Sequence, residues 1–349
     1  MRFSVQTLTL NEFKSRKNRE MAAERNRVIL GMGSHVPQKV LGNEELSKKV
    51  DTSHEWIQSR TGIIERRIAE EQESTSDLAY EAARKAINDA GVNIEQIDLV
   101  IVATITPDMS FPSTACLLQH RLGLKHVTCF DLEAACSGFL YSLDVADGMI
   151  ASGRYNCALV IGAEKMSSIM DWEDRTTCVL FGDGAGAAII SSKGSGPSLL
   201  GFRSGADGSN PSLLYQPAGG SLKPASVQTI DKREHFLKMN GKEIFKSAVR
   251  VMEKAIRDLL ADHKYKISDV DHVIPHQANV RIVESMAQRL EIPMEKFFCN
   301  LDRHGNTSAA SIPLALDEAI RKNIFNEGDL AVLVAFGAGL TWSSTLVRF

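Results

Sequence analysis

Four short stretches carry residues whose types and spacing could do chemistry. The first is Ala134-Ala135-Cys136-Ser137-Gly138, five small residues between an apolar strand-like run (127–130) and an apolar helical pattern through Phe139, Leu140, Leu143, Met149 and Ile150. Small residues let backbone pack closely where a strand becomes a helix. A cysteine there lies near the positive end of a helix dipole, which favours thiolate over thiol. The second is Val273-Ile274-Pro275-His276-Gln277-Ala278-Asn279, a strand ending in a histidine ahead of a helix. The third, 301–310, contains His304-Gly305-Asn306 and reads again as a strand end passing into a helix start. The fourth is Gly337-Ala338-Gly339, a turn between two apolar strands.

Singly, each has an ordinary explanation. Cys136 could be a small buried apolar residue, His276 a satisfied structural histidine, Asn306 a helix N-cap and the glycines turn-formers. Together they suggest acyl transfer through a thioester. Cys136 is the candidate nucleophile, with its pKa lowered by the helix dipole and a neighbouring histidine. His276 and Asn306 would offer N–H donors to a substrate carbonyl oxygen, stabilising an enolate without a metal. Backbone N–H groups of Cys136 and of the turn around Ala338 would form a separate oxyanion hole for the thioester carbonyl.

The elements that must position these residues alternate. Strand-like runs begin near Arg27, Ile97, Val127 and Ala158; helical patterns occupy 43–49, 78–90 and 113–122, the second capped from Thr75-Ser76-Asp77 and closed near Gly91. This is an α/β chain. The pattern then comes round again. Residues 81–102 resemble 253–274, 119–122 resemble 288–290, and 159–163 resemble 333–337, at an offset of about 170 residues. Under that offset Cys136 falls opposite Asn306, and two related halves would set these helix starts side by side at a pseudo-twofold axis.

Composition bounds the partners. The 349 residues are 44% hydrophobic with a net charge of −3, enough for a large core and without the basic field that nucleic acid or a membrane surface would call for. No apolar run is long enough to span a bilayer. The six cysteines show no CxxC pair and read as reduced cytosolic thiols, so the expected location is cytoplasmic. His272 and His276 have HxxxH spacing, but Pro275 lies between them on a strand-like run, so they would not share a helix face and no metal is expected. Residues 1–26 are polar and mixed in charge, and read as a surface helix or disordered arm with Met21 as an alternative start.

Ala135-Cys136-Ser137-Gly138-Phe139, His276-Gln277-Ala278-Asn279 and Gly305-Asn306-Thr307-Ser308-Ala309 resemble the motifs of the 3-oxoacyl-[acyl-carrier-protein] synthase III family, and the resemblance runs from about Arg27 to Phe349. It implies a thiolase-like, duplicated five-layer αβαβα fold, here an N-terminal half at 27–195 and a C-terminal half at 196–349, and a homodimer. It implies Cys136, His276 and Asn306 as a triad that takes an acetyl or other short acyl group from CoA and condenses it with malonyl-acyl carrier protein, initiating type II fatty acid synthesis with no cofactor beyond its substrates. Trp56 and Arg175 match residues that sandwich the adenine of CoA, Thr52 and Arg60 others near the nucleotide, and Asn279 one at the pantetheine tunnel. Phe111 matches a position reaching the partner subunit's acyl pocket, where a large aromatic is similar to members that favour short primers. Two departures stand out: Ala338 where many members have glycine, and Lys242 where some carry asparagine. Lys242, Lys246 and Arg250 share one helical stripe and Arg281 matches a carrier-docking position, so Lys246 and Arg281 are expected to meet the acidic carrier protein.

The nearest rival is a sibling synthase of a polyketide or quinolone-type pathway. A degradative thiolase would want a second catalytic cysteine in the final Gly-rich turn, where none stands; Cys299 precedes the Asn306 loop. A papain-like hydrolase would place its cysteine near the mature N-terminus. An inactive partner subunit would be expected to lack Cys136.

Overall fold

The computed structural model describes residues 27–349; the expected arm at 1–26 lies outside the described residues. The first half runs β1 (Val28–His35), β2 (Val40–Gly42), α1 (Asn43–Leu46), α2 (His54–Thr61), β3 (Glu65–Arg67), α3 (Thr75–Ala90), β4 (Leu99–Ala103), α4 (Thr114–Arg121), β5 (Thr128–Leu132), α5 (Gly138–Ala151), β6 (Cys157–Glu164) and β7 (Gly184–Ser191). The second runs β8 (Ser198–Ala206), β9 (Leu214–Tyr215), α6 (Val227–Asp231), β10 (Lys238–Met239), α7 (Gly241–Asp262), β11 (His272–Pro275), α8 (Val280–Leu290), α9 (Leu301–His304), α10 (Ser311–Arg321), β12 (Leu330–Gly337) and β13 (Thr341–Arg348).

The main strands order as β11-β12-β13-β8-β1-β7-β6-β4-β5. The two sets meet through one pair, Val28 with Ser198. Strands β4, β6 and β12 are buried throughout and rich in Val, Ile, Leu and Ala, as parallel strands covered on both faces must be. Three apolar cores explain the layering. Leu78, Ala82 and Leu118 pack α3 and α4 on the outside of one sheet; Met252, Ile256 and Val283 pack α7 and α8 on the outside of the other. Phe139, Leu140, Ile312 and Leu316 put α5 and α10 between the sheets. The result is helix, sheet, helix, sheet, helix.

The N-cap of α3 is Ser74, one residue earlier than the sequence suggests. Its side chain accepts from Asp77 N while Asp77 accepts from Ser74 N at 2.8 Å, a reciprocal capping box, and Gly91 ends the helix at φ 60°.

The repeat is tighter than the sequence offset. Leu99 and His272, Gly138 and Ser311, and Cys157 and Leu330 begin equivalent elements, each pair 173 residues apart. Cys136 is therefore opposite Ala309, not Asn306. The stretch before Asn306 is also not a strand end: 301–304 form α9, and Asn306 instead makes an isolated parallel bridge with Phe181.

Candidate active site

Cys136 lies in a 3-10 turn, Ala135–Ser137, that feeds α5, and it is 7% exposed. The turn opens with Ala135 at φ 46°. Ser308 (φ 50°) opens the matching turn, Ser308–Ala310, ahead of α10. The two turns touch: Cys136 Sγ donates to Ser308 Oγ at 3.6 Å.

Asn306 is held by its backbone, donating to Leu180 O at 2.8 Å and accepting from Gly182 N at 3.1 Å. Its Oδ1 accepts from Ser308 N at 2.9 Å. That bond fixes the amide orientation, leaving Nδ2 as the outward donor. His276 follows β11 directly, its N–H donating to Val334 O at 2.7 Å. Gln277 locks the next residue: its N–H donates to Ser311 Oγ at 3.0 Å, and its Oε1 accepts from Asn300 N and Leu301 N at 2.8 and 3.0 Å. The imidazole is 4% exposed and Nδ1 has no hydrogen-bond partner. Burial pushes its pKa down to about 4, so the ring is neutral near pH 7 and offers one N–H.

Cys136, His276 and Asn306 line one small apolar chamber of about 50 Å³, walled by Phe181, Met252 and Phe336. On its other side Cys136 opens into a cavity of about 870 Å³ together with Ala338, Gly339 and Thr341. A Cβ on Gly337 would stand 2.8 Å from Cys136 N, so only glycine lets β12 come this close. Thr341 Oγ1 lies 2.9 Å from Ala134 O and 3.0 Å from Ala338 O, tying the glycine turn to the cysteine turn. Cys136 thus lines both spaces, one shared with His276 and Asn306 and the other with Ala338 and Gly339.

One sequence expectation is overturned. The Cys136 thiol is not lowered in this geometry: burial, aided by the Glu164 charge, pushes it up to about 12 against the Ser308 hydrogen bond. Desolvation of the thiolate is the largest of these effects. Sequence reading also passed over Glu164, the last residue of β6, and left Ser308 without a role. Glu164 is fully buried and accepts from Ser308 Oγ at 2.9 Å. A carboxylate closing the apolar run Leu159-Val160-Ile161-Gly162-Ala163 was the available signal.

The other expected residues form two surfaces. Arg175 lies over the Trp56 ring, its guanidinium carbon 5.4 Å from the centroid, and donates to Asp51 O at 2.6 Å. Thr52 Oγ1 is buried nearby in sequence without a partner. Asn279 caps α8 through Arg281 N (2.9 Å) and donates from Nδ2 to Arg60 O at 3.0 Å, joining α2 to α8. On the neighbouring face Lys242, Lys246 and Arg250 are exposed along α7. Arg281 lies 5.9 Å from the ring of Phe245 on the same helix, and Lys246 pairs with Glu243 at 3.0 Å. Phe111 is 84% exposed on the loop before α4, between Ser110 and Ser113, which line the larger cavity.

Among the described residues no cluster of His, Cys, Asp and Glu could hold a metal, and no helix is long and apolar enough to cross a membrane.

Comparison with known proteins agrees over most of the chain. Residues 130–208 match the family described as 3-oxoacyl-[acyl-carrier-protein (ACP)] synthase III, and residues 260–349 its C-terminal part. The beta-ketoacyl-[acyl-carrier-protein] synthase III of Natranaerobius thermophilus is 53% identical over 327 residues, 93% of this chain and 99% of the relative. That of Caldanaerobacter subterraneus subsp. tengcongensis is 51% identical over 321 residues, 92% of this chain and 97% of the relative. The crystal structure of 3-oxoacyl-[acyl-carrier-protein] synthase III from Aquifex aeolicus superposes with a TM-score of 0.85 at 48% identity, covering 93% of this chain and 100% of that one.

Proposed function

The chain belongs to the 3-oxoacyl-[acyl-carrier-protein] synthase III family, and on that premise we propose how its site initiates fatty acid synthesis. It is an acyl-transferring condensing enzyme with a thiolase-like fold. Cys136 takes an acetyl or short acyl group from CoA, releasing CoA. His276 and Asn306 then hold the carbonyl oxygen of malonyl-acyl carrier protein through two N–H donors as CO₂ leaves. The enolate carbon attacks the acyl-cysteine, giving 3-oxoacyl-acyl carrier protein.

The observation that supports this is that Cys136 lines both the chamber it shares with His276 and Asn306 and the cavity it shares with Ala338. A tetrahedral oxyanion on the acyl group would be met by Cys136 N–H and Ala338 N–H, and the enolate oxygen by neutral His276 and Asn306. Electrostatic stabilisation of each charge is thereby separated, and one thiol serves both half-reactions.

Trp56, Arg175, Thr52, Arg60 and Asn279 would receive CoA on the rim. Stacking of Arg175 on Trp56 supports an adenine site, since both faces accept a flat base. Lys246 and Arg281 would meet the carrier protein. Exposed Phe111 and strand β5, which ends the sheet order, support a homodimer in which Phe111 enters the partner's acyl pocket. The division at 195/196 falls between β7 and β8, and a cytoplasmic location accords with the free cysteines.

Intact-protein mass spectrometry tests the scheme. After mixing with acetyl-CoA and a panel of short acyl-CoAs, wild type should gain one acyl group and Cys136→Ala none. Malonyl-acyl carrier protein should discharge it; discharge by malonyl-CoA instead would move the protein to a specialised pathway. No adduct from any thioester would remove Cys136 from the mechanism.

A further inference from the structure

Glu164 is 0% exposed at the end of a strand whose eight residues are all buried. A carboxylate there requires donors, and five converge on it. They are the hydroxyls of Thr104 (3.1 Å), Thr106 (2.6 Å) and Ser308 (2.9 Å), and the backbone N–H groups of Ile105 (3.1 Å) and Thr106 (3.1 Å). Proton directions follow from the next bonds out. Thr106 Oγ1 accepts from Lys165 N at 2.9 Å and Thr104 Oγ1 from Thr106 N at 3.1 Å, which leaves each hydroxyl proton for Glu164. Ser308 Oγ likewise accepts from Cys136 Sγ at 3.6 Å while donating to Glu164 Oε1. An unbroken path therefore runs from the Cys136 thiol through Ser308 to a carboxylate.

That path answers a need the site leaves open. Burial holds the thiol up near 12, so the nucleophile must lose its proton to a base as it attacks. His276, pushed down to about 4, is a poor acceptor, whereas burial raises Glu164 to about 7 even against its hydrogen bonds. The groups facing Glu164 are hydroxyls and amides from the loop after β4, Ser308 from the second half, and the Cys136 thiol beyond it. The neighbouring Lys165 turns its ammonium away, to the carbonyls of Glu70, Glu71 and Glu73.

We propose that Ser308 and Glu164 form the proton path that deprotonates Cys136 for acyl transfer and returns the proton when the acyl group leaves. The inference rests on the acyl-cysteine reading above. In the first half-reaction Cys136 Sγ bonds to the thioester carbonyl carbon as its proton passes to Ser308 Oγ, and the Ser308 proton moves to Glu164 Oε1. The carbon–sulfur bond to CoA breaks, and the CoA thiolate takes a proton from solvent. In the second, the enolate carbon bonds to the acyl carbon and Cys136 leaves as thiolate. Glu164 returns a proton through Ser308, restoring thiol and carboxylate. One solvent proton is consumed per turnover, as loss of the malonyl carboxylate as CO₂ requires. Ser308 touches the reacting sulfur; Glu164 acts through it.

The test is rapid-quench intact-mass measurement of Cys136 acylation from acetyl-CoA, from about pH 5 to 9, on the full chain. Wild type should acylate faster as pH rises through about 7, where Glu164 becomes the carboxylate base. Ser308→Ala and Glu164→Gln should acylate at least ~100-fold more slowly and lose that limb. Ser308→Ala guards against a folding defect in Glu164→Gln, which sets an amide against five donors; melting curves compare both. Variants that acylate slowly but keep the limb near 7 would assign the pair a structural role and overturn the path, as would unchanged rates. A wild type that forms no adduct at all would instead remove the acyl-cysteine premise along with it.

Discussion

Two helix starts face each other at the centre of this molecule on one repeated backbone. Residues 135–137 and 308–310 are both 3-10 turns opened by a left-handed residue, Ala135 at φ 46° and Ser308 at φ 50°, and each feeds a largely buried helix. Each is approached by a strand end from the opposite half. Gly337 at the end of β12 meets Cys136, and Glu164 at the end of β6 meets Ser308; 164 and 337 are again 173 apart. The frame is symmetric, but its contents are not. The cysteine of one turn corresponds to Ala309 in the other, Ala135 to Ser308, and Ala103 to His276. Duplication supplied two equivalent helix starts; divergence put a cysteine on one and a hydrogen-bonding serine on the other.

Exchanging the contents should break the comparison most severely. Cys136→Ala combined with Ala309→Cys should lose acylation by at least ~10⁴-fold. The transplanted thiol would enter a position 1% exposed that lies against Gly138 and Gly162, and overpacking there should cost about 1–3 kcal/mol. Next come the donors held by the second half alone. His276→Ala and Asn306→Ala should still form the acyl-enzyme but condense it ~10²–10³-fold more slowly, as single-turnover discharge by malonyl-acyl carrier protein would record.

The fit between halves is sharpened by Gly162 and its counterpart Ala335. A Cβ at Gly162 would lie 2.3 Å from Ala309 O, so Gly162→Ala should lower the urea midpoint by the equivalent of ~2–3 kcal/mol. Ala335→Gly, where a Cβ is already accommodated, should cost only ~1 kcal/mol.

The second half also carries the buried His276 and the half-buried His304. Burial lowers both His276 and His304 to about 4, below the ordinary 6.5, so the unfolded chain binds more protons between those values. Their contribution is intact above about 6.5 and is lost as pH falls toward 4. Glu164, raised from 4.5 to about 7, acts oppositely: its contribution is present at low pH and fades as pH climbs to 7. His304→Gln should therefore flatten the acid side of the stability profile between pH 6.5 and 4. The smallest effect is expected at the surface. Arg281→Glu with Lys246→Glu should raise the KM for malonyl-acyl carrier protein several-fold with little change in kcat, more at low salt than at high.

Much of the site was legible because its residues interrupt strong patterns. Cys136 sits among small residues between two apolar runs, and His276 and Asn306 are polar where a helix is about to start. Glu164 was harder to read, since an acidic residue after a buried strand is ordinarily a loop residue. Its burial is visible only once Ser308 arrives from 144 residues away. The partner of Cys136 was misplaced by three residues because weak similarity sets an offset only to within a turn of helix; hydrogen-bonded ladders set it to the residue.

By itself the sequence determined the α/β class and the repeat, and it picked out Cys136 as the candidate nucleophile. Periodicity, small-residue turns and composition are local properties, and these follow from them. The tertiary structure alone decided the protonation of the site. Burying Cys136, His276 and Glu164 together in low dielectric drives thiol and carboxyl pKa values up and the imidazole down. That energy depends on what surrounds each group in space, and no spacing along the chain encodes it directly.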